Sequence, residues 1–386
     1  MLACMGVLAF CGLGVGNLAP AKVAIEIKSV ASVSHPDSGT TAKCCVHSKK
    51  TSSAGNTVLG ETILWSRNWQ RYAMGCQSLP VNYFRSKTET RHKPAELKQW
   101  LEDCQGVFWV SMGSGRLQSD GKPPKTNVGV FAQHVVANIT EPFILITTDG
   151  DISVPTHVRA YKNILNNPYC LAWYTQNFDG TENHPKLHPI PIGFDLHTPR
   201  PGSFNPPGLL LHDTVRQMVQ LRRKGLQHLR NTRSILVPHW TEKKKGPRRD
   251  RKVVNYVLDG CNISHVHGQK VPISLLWENY TQYRFGPSPF GNGLDTHRTW
   301  EYLFFGLVPI VKSSSLDLLY KGLPVVIVQE WTDLCKPEFL KNQWELKVSK
   351  VWPARDELFT MKWWLHKNVD QERDVALYDT LSQLSF

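Results

Sequence analysis

The chain has 386 residues, 41% apolar and 20% charged, with 13 Trp and 15 Phe; this excludes disorder over the whole length and allows two or three domains with aromatic cores. Its 45 Lys and Arg against 32 Asp and Glu leave a net charge of +13, which favours anionic partners such as a nucleotide diphosphate or an acidic glycan but serves plain solubility equally well. The nine Cys form no Cys-x-x-Cys pair, so zinc-ribbon and thioredoxin chemistry lack their signature while isolated disulfides stay open.

Residues 1–19, MLACMGVLAFCGLGVGNLA, are apolar and uncharged, and the first Lys is Lys22. This reads as a secretory signal or a single membrane anchor, although the basic flank of a good signal peptide is missing. Residues 20–60, rich in Ser, Thr, Ala and Lys, read as a stem. Sequons at Asn138, Asn262 and Asn279 fit a secretory route, and the expected location is a Golgi-type membrane with the folded part in the lumen.

From 61 to 205 short apolar runs alternate with helical stretches. Val107–Val110 predicts a buried strand followed by a turn at Ser111-Met-Gly-Ser-Gly. Val128–Ala137 predicts a helix, and Pro142–Thr147 and Leu187–Ile192 predict strands. The Pro/Gly-rich segment Thr198–Gly208 is the expected boundary to a second block, 206–350. There Ser234–Val237, Tyr283–Gly286, Val308–Val311 and Pro324–Val328 predict strands, and Ile273–Gln282, Thr296–Phe305 and Leu316–Tyr320 predict helices. A helical tail, 351–386, closes the chain. Strands alternating with helices in two blocks predict an α/β fold of two facing Rossmann-like domains, with ligands at the carboxyl ends of the strands.

The segment Phe285–Val311 carries the most chemistry: strand, Gly-rich turn, helix, Gly stop, strand. Gly291 and Gly293 let the backbone approach a ligand and adopt positive φ. The free N–H groups of the following helix attract phosphate. His297 and Arg298 lie in its first turn, and Arg298 can grip a phosphate through two parallel bonds. Glu301 shares their face and can accept bonds from ribose hydroxyls, while Trp300, Leu303 and Phe304 are expected to pack on the sheet. An ordinary surface ion pair between Arg298 and Glu301 fits the same spacing.

The residues Ser288-Pro289, Gly291, Gly293, His297-Arg298, Trp300-Glu301, Gly306, Pro309-Ile310-Val311, Ser314, Leu316 and Leu323-Pro324-Val325 resemble the carboxyl-terminal half of exostosin-like glycosyltransferases, family 47 and its relatives. His184–Gly193 resembles the end of the amino-terminal domain in related sequences. The resemblance implies the two-domain GT-B fold and an inverting transfer from a nucleotide sugar to a glycan acceptor, without an essential metal or separate cofactor. It also implies that Pro289, Gly291, Asn292, Gly293, His297, Arg298 and Glu301 hold the donor, with Glu301 on the ribose. Tyr302-Leu303 stands where family members often have Ala-Leu, which leaves room for a non-catalytic glycan- or nucleotide-binding relative.

Asp149-Gly-Asp151 follows a predicted buried strand and looks like the Asp-x-Asp metal motif of another transferase fold, but general-base work or acceptor binding is favoured over metal binding; its two carboxylates are the candidate general bases, with His157 as alternative, and a simple Asx-type turn explains the same residues. The cation run Lys243–Lys252 reads as a solvated loop, an acidic-acceptor patch or, third, a nucleic-acid patch that no nucleic-acid fold motif accompanies. Among His134, His157, His184, His188 and His197 no pair forms a His-Glu-x-x-His motif, so zinc is not expected there. Gly-x-Ser-x-Gly and the P-loop pattern are absent.

Overall fold

Parallel strands buried on both faces need residues that are apolar or fully hydrogen-bonded; Phe143–Thr148 has six consecutive buried residues, four apolar and two Thr whose hydroxyls are bonded. The computed structural model describes residues 63–69, 106–113, 126–196, 211–228, 233–242, 249–261, 263–367 and 369–384, all within one compact unit, Ala54–Phe386. The apolar start, the stem to residue 60, the break Thr198–Gly208, His197, Lys243–Arg248 and Asn262 lie outside the described residues.

The first half is a four-stranded sheet, β1 (Val107–Gly113), β2 (Phe143–Gly150), β3 (Cys170–Thr175) and β4 (Leu187–Pro189), parallel throughout and in chain order. Helix α1 (Asn127–His134) starts at Thr126, whose hydroxyl accepts a bond from the Gly129 N–H at 3.0 Å; α2 (Tyr161–Leu165) follows β2. The turn expected at Ser111-Met-Gly is instead strand, because β1 continues to Gly113 and pairs Ser111 with Thr148 and Gly113 with Gly150. Indole donors fasten the strands: Trp109 Nε1 donates to Thr148 Oγ1 and Trp173 Nε1 to Thr147 Oγ1, each at 2.8 Å.

The second half begins with α3 (Leu211–His228). Its five strands are β5 (Arg233–Val237), β6 (His265–His267), β7 (Tyr283–Pro287), β8 (Val308–Lys312) and β9 (Val326–Val328). They run parallel in the order β6-β5-β7-β8-β9. Helices α4 (Arg249–Gly260), α5 (Ile273–Tyr280), α6 (His297–Phe305) and α7 (Asp317–Tyr320) connect them. The first connection runs one way from β5 and the later ones the other way, so the sheet has a topological switch point between β5 and β7. After β9 come α8 (Phe339–Gln343), α9 (Ser349–Val351), α10 (Met361–His366) and α11 (Val375–Ser382). The last of these return to the first half, where the Tyr174 hydroxyl donates to Leu365 O at 2.9 Å. The architecture is therefore α/β with two parallel, Rossmann-like halves, as the sequence predicts.

Helix α6 is buried from Thr299 to Phe305 and ends at Gly306, whose φ of 82° is the left-handed cap glycine favours. Its packing differs from the expectation. Trp300 and Phe304 face the C-terminal segment and the first half: Trp300 meets Trp364, and Phe304 meets Phe194 and Phe359. Tyr302 packs on β7, where a Cβ on Gly286 would come within 2.7 Å of its ring. At about 100° per residue, position 302 falls opposite 300 and 304, so only one of these sets can meet the sheet. The carbonyl end of α6 is gripped by buried Arg222 of α3, which donates to Phe304 O, to Ala354 O at 2.6 Å and to Asp356 Oδ1 at 2.8 Å. Both rings beneath it, Phe304 and Phe359, lie about 5 Å from its guanidinium carbon.

Candidate active site

In an open parallel sheet the crevice outside the strand ends at the switch point is the natural ligand site. Here β5 runs into Pro238-His239-Trp240 and β7 into the turn Ser288–Thr296 that precedes α6. The turn is held from inside by hydroxyls: Ser288 Oγ lies 2.8 Å from both Thr296 Oγ1 and Thr299 Oγ1. Pro289 is buried, Gly291 half-buried and Asn292 exposed. Neither Gly291 nor Gly293 has positive φ, contrary to expectation. Gly293 answers to close approach instead, since a Cβ there would lie 2.7 Å from Asn177 Nδ2.

Arg298 is half-buried, with its guanidinium carbon 5.4 Å from the Trp240 ring centre. Its Nε is buried and meets no acceptor among the described residues. A second cation arrives from the basic run. Arg249–Lys252 forms the first turn of α4, not loop, and a Cβ on Gly291 would sit 3.8 Å from Arg251 Nη2. Arg251 also donates to Thr241 O at 3.2 Å. His297 Nδ1 lies 2.8 Å from Gly193 O; a carbonyl only accepts, so this nitrogen carries the proton. Glu301 is 3% exposed, within the packed helix.

The first half brings the ends of β2, β3 and β4 against this turn. Asp149 has φ of 56°, an uncommon backbone for a non-glycine residue. Its carboxylate takes Arg67 Nε at 3.2 Å on each oxygen, its N–H donates to Gln176 Oε1 at 3.2 Å and its carbonyl accepts from Ser111 Oγ at 3.2 Å. Asp151 points to the other half: its Oδ2 accepts from Asn292 Nδ2 at 3.2 Å. The structure thus joins one candidate base directly to the Gly-rich turn and turns the other toward Arg67. His157 sits apart by Asp179, its Nδ1 accepting from the Ser153 N–H at 3.3 Å; burial lowers its pKa and Asp179 opposes that shift.

Asp295, which sequence reasoning did not single out, is the strut of the seam. It is 3% exposed. Its carboxylate accepts from the Ile192 N–H at 2.8 Å, the Thr296 N–H at 2.8 Å and Trp300 Nε1 at 2.9 and 3.0 Å, while its own N–H donates to Asn177 Oδ1 at 2.8 Å. Burial pushes its carboxyl up to about 6, with the N–H donors and His297 pulling the other way. Asn177 Nδ2 completes the bridge by donating to Gly150 O at 3.0 Å. Asp295 was legible as an acid just before a helix start. Arg251 was hidden inside a charge run, and Trp240 and Asn177 carry no local signal.

No protein-family model and no curated protein matches the chain. Among solved structures it aligns with a UDP-forming α,α-trehalose-phosphate synthase from Burkholderia vietnamiensis at 12% identity and a TM-score of 0.38, over 82% of each chain. A trehalose-6-phosphate structure from E. coli, bound with UDP-2-fluoro glucose, aligns at 10% identity and a TM-score of 0.35 over 85% of each chain. An α-glucosyltransferase in complex with UDP-glucose and DNA containing an abasic site aligns at 10% identity and a TM-score of 0.34, covering 75% of this chain and 83% of that one.

Proposed function

We propose that the chain is a nucleotide-sugar-dependent glycosyltransferase of the exostosin type, acting by inversion on a glycan acceptor. The observation that carries this reading is the Gly turn and α6 N-terminus at the switch point, met across the seam by Asp151. Helix N–H groups, Arg298 and Arg251 supply positive potential for a diphosphate, and the buried Trp240 ring backs the Arg298 guanidinium. Glu301, one turn into α6, is the ribose acceptor in this reading, and His297 orients against Gly193.

Departure of the nucleoside diphosphate leaves charge that these donors stabilise, while Asp151 takes the acceptor hydroxyl proton from the opposite side. Asp149 holds Arg67 and shapes the strand end. With two Arg at the turn, the diphosphate needs no cation or other cofactor from outside. The net charge of +13 suits an acidic acceptor. The Cys261–Cys335 disulfide and the exposed sequon Asn138 favour the lumen of the secretory pathway, with residues 1–19 as anchor.

The test is a panel of nucleotide sugars, read first by thermal shift and then by transfer to oligosaccharide acceptors. Binding with turnover is the expected result. Binding without turnover or hydrolysis on every acceptor would move the chain to the non-catalytic class.

A further inference from the structure

Two residues apart on a strand, His265 and His267 project from one face of β6. That face meets Asp259 in the last turn of α4. His265 Nε2 lies 3.0 Å from Asp259 Oδ1, His267 Nε2 lies 3.3 Å from the same oxygen, and the two Nε2 atoms are 3.2 Å apart. His265 Nδ1 is 2.6 Å from Ile263 O; the carbonyl accepts, so Nδ1 holds the proton and Nε2 of the neutral ring holds a lone pair. That lone pair, a carboxylate oxygen and a second imidazole nitrogen crowd one point, and such atoms repel unless a proton or a metal ion lies among them.

We propose that Asp259, His265 and His267 form a zinc site separate from the seam. Metal–ligand bonds of about 2.0 Å in tetrahedral geometry set neighbouring ligand atoms roughly 3.3 Å apart, and the three observed separations are those of one face of such a tetrahedron. Nitrogen and carboxylate donors suit Zn²⁺. The Ile263 carbonyl provides the outer support that fixes a ligating imidazole. Among the described residues no other group of three His, Cys, Asp or Glu converges in this way. The site ties β6, the edge strand of its sheet, to α4, beside the Cys261–Cys335 disulfide that anchors the same loop. The fourth position is left to solvent or an external ligand. A search for helical His-x₃-His spacing passes over this pair, because on a strand the ligating spacing is two.

Equilibrium dialysis of the full chain against zinc, followed by elemental analysis, tests the site. The wild type should retain one equivalent more than the His265→Ala/His267→Ala variant, and Asp259→Ala should weaken retention at least tenfold. A second measurement needs no variant: zinc should protect His265 and His267 from diethylpyrocarbonate more than the other described histidines. Equal zinc content in wild type and double variant, or unchanged modification of both histidines, would show a plain imidazolium–carboxylate cluster and overturn the proposal.

Discussion

The two sides of the seam are built from opposite materials. On the first half, the end of β2 presents Asp149 at φ 56° and Asp151, carboxylates set by strand ends whose hydrogen bonds run through Gln176 and Asn177. On the second half, the end of β7 presents glycine, hydroxyls and cations around a helix N-terminus. In the proposed reading the proton acceptor and the groups that stabilise a leaving anion stand on separate sheets, and contacts such as Asn292 to Asp151 and Asn177 to Asp295 join the two sides.

If that division holds, removing the acid should cost chemistry and spare binding. Asp151→Asn keeps the volume and an acceptor for Asn292 but is no useful base, so turnover should fall at least about a hundredfold with donor affinity within about twofold. Asp149→Asn, whose partner is Arg67, should cost less. Steady-state kinetics with donor titrations checks both. Near-normal turnover in both variants would remove the base from the end of β2 and make His157 the next candidate.

The second half should give the reverse split. Arg298→Ala, Arg251→Ala and Glu301→Ala each remove a charged partner of the donor, worth about 1.5–3 kcal/mol or roughly ten- to a hundredfold in affinity. Calorimetric titration of the donor measures this, with circular dichroism to confirm the fold of Glu301→Ala. Unchanged affinity in all three would dissolve the donor assignment.

How much of this was legible differs between the sides in the same way. The Gly-rich turn announces itself locally, because strand, glycine, helix and stop follow one another within Phe285–Val311. The acid side does not: β3 lies outside the strands that the sequence predicts, although its run CLAWYT is apolar and aromatic. The importance of Asn177, just beyond it, exists only through contact with Gly293 more than a hundred residues away in sequence. The faces of α6 differ from the expectation for a related reason. Periodicity shows that Trp300 and Phe304 share a side, but which neighbour covers that side is decided by Phe194, Phe359 and Trp364.

Asp295 belongs to both sides, and its loss should sharpen what holds them together. Asparagine would aim an NH₂ group at N–H donors from Ile192, Thr296 and Trp300, leaving at least one unsatisfied, so Asp295→Asn should cost about 1–3 kcal/mol of stability. The pH dependence is distinctive. Its folded pKa of about 6 lies above the ordinary 3.8, so the native state binds this proton more tightly than the unfolded chain. The resulting stability is fully present below about pH 4 and is lost as pH rises through about 6, an amount of roughly 3 kcal/mol. Urea unfolding at pH 4 and pH 7 should show this difference shrinking in the variant. An identical difference in both proteins would mean that Asp295 titrates normally.

The smallest expected effect is that of a chelator on transfer, and it tests whether the cationic side is sufficient alone. A departing diphosphate develops charge that a divalent ion often carries; here Arg298, Arg251 and the α6 N-terminus stand at the turn to carry it. EDTA should therefore leave turnover within about twofold. It should at the same time strip zinc from Asp259, His265 and His267, whose ligands lie on α4 and β6 and include none of the seam residues. Measuring zinc content and turnover on one chelated sample separates the two sites. Turnover that collapses and returns with manganese, but not with zinc, would mean that Asp149 and Asp151 hold a catalytic ion; the acid side would then be a metal platform, and the base would have to be sought elsewhere along the seam.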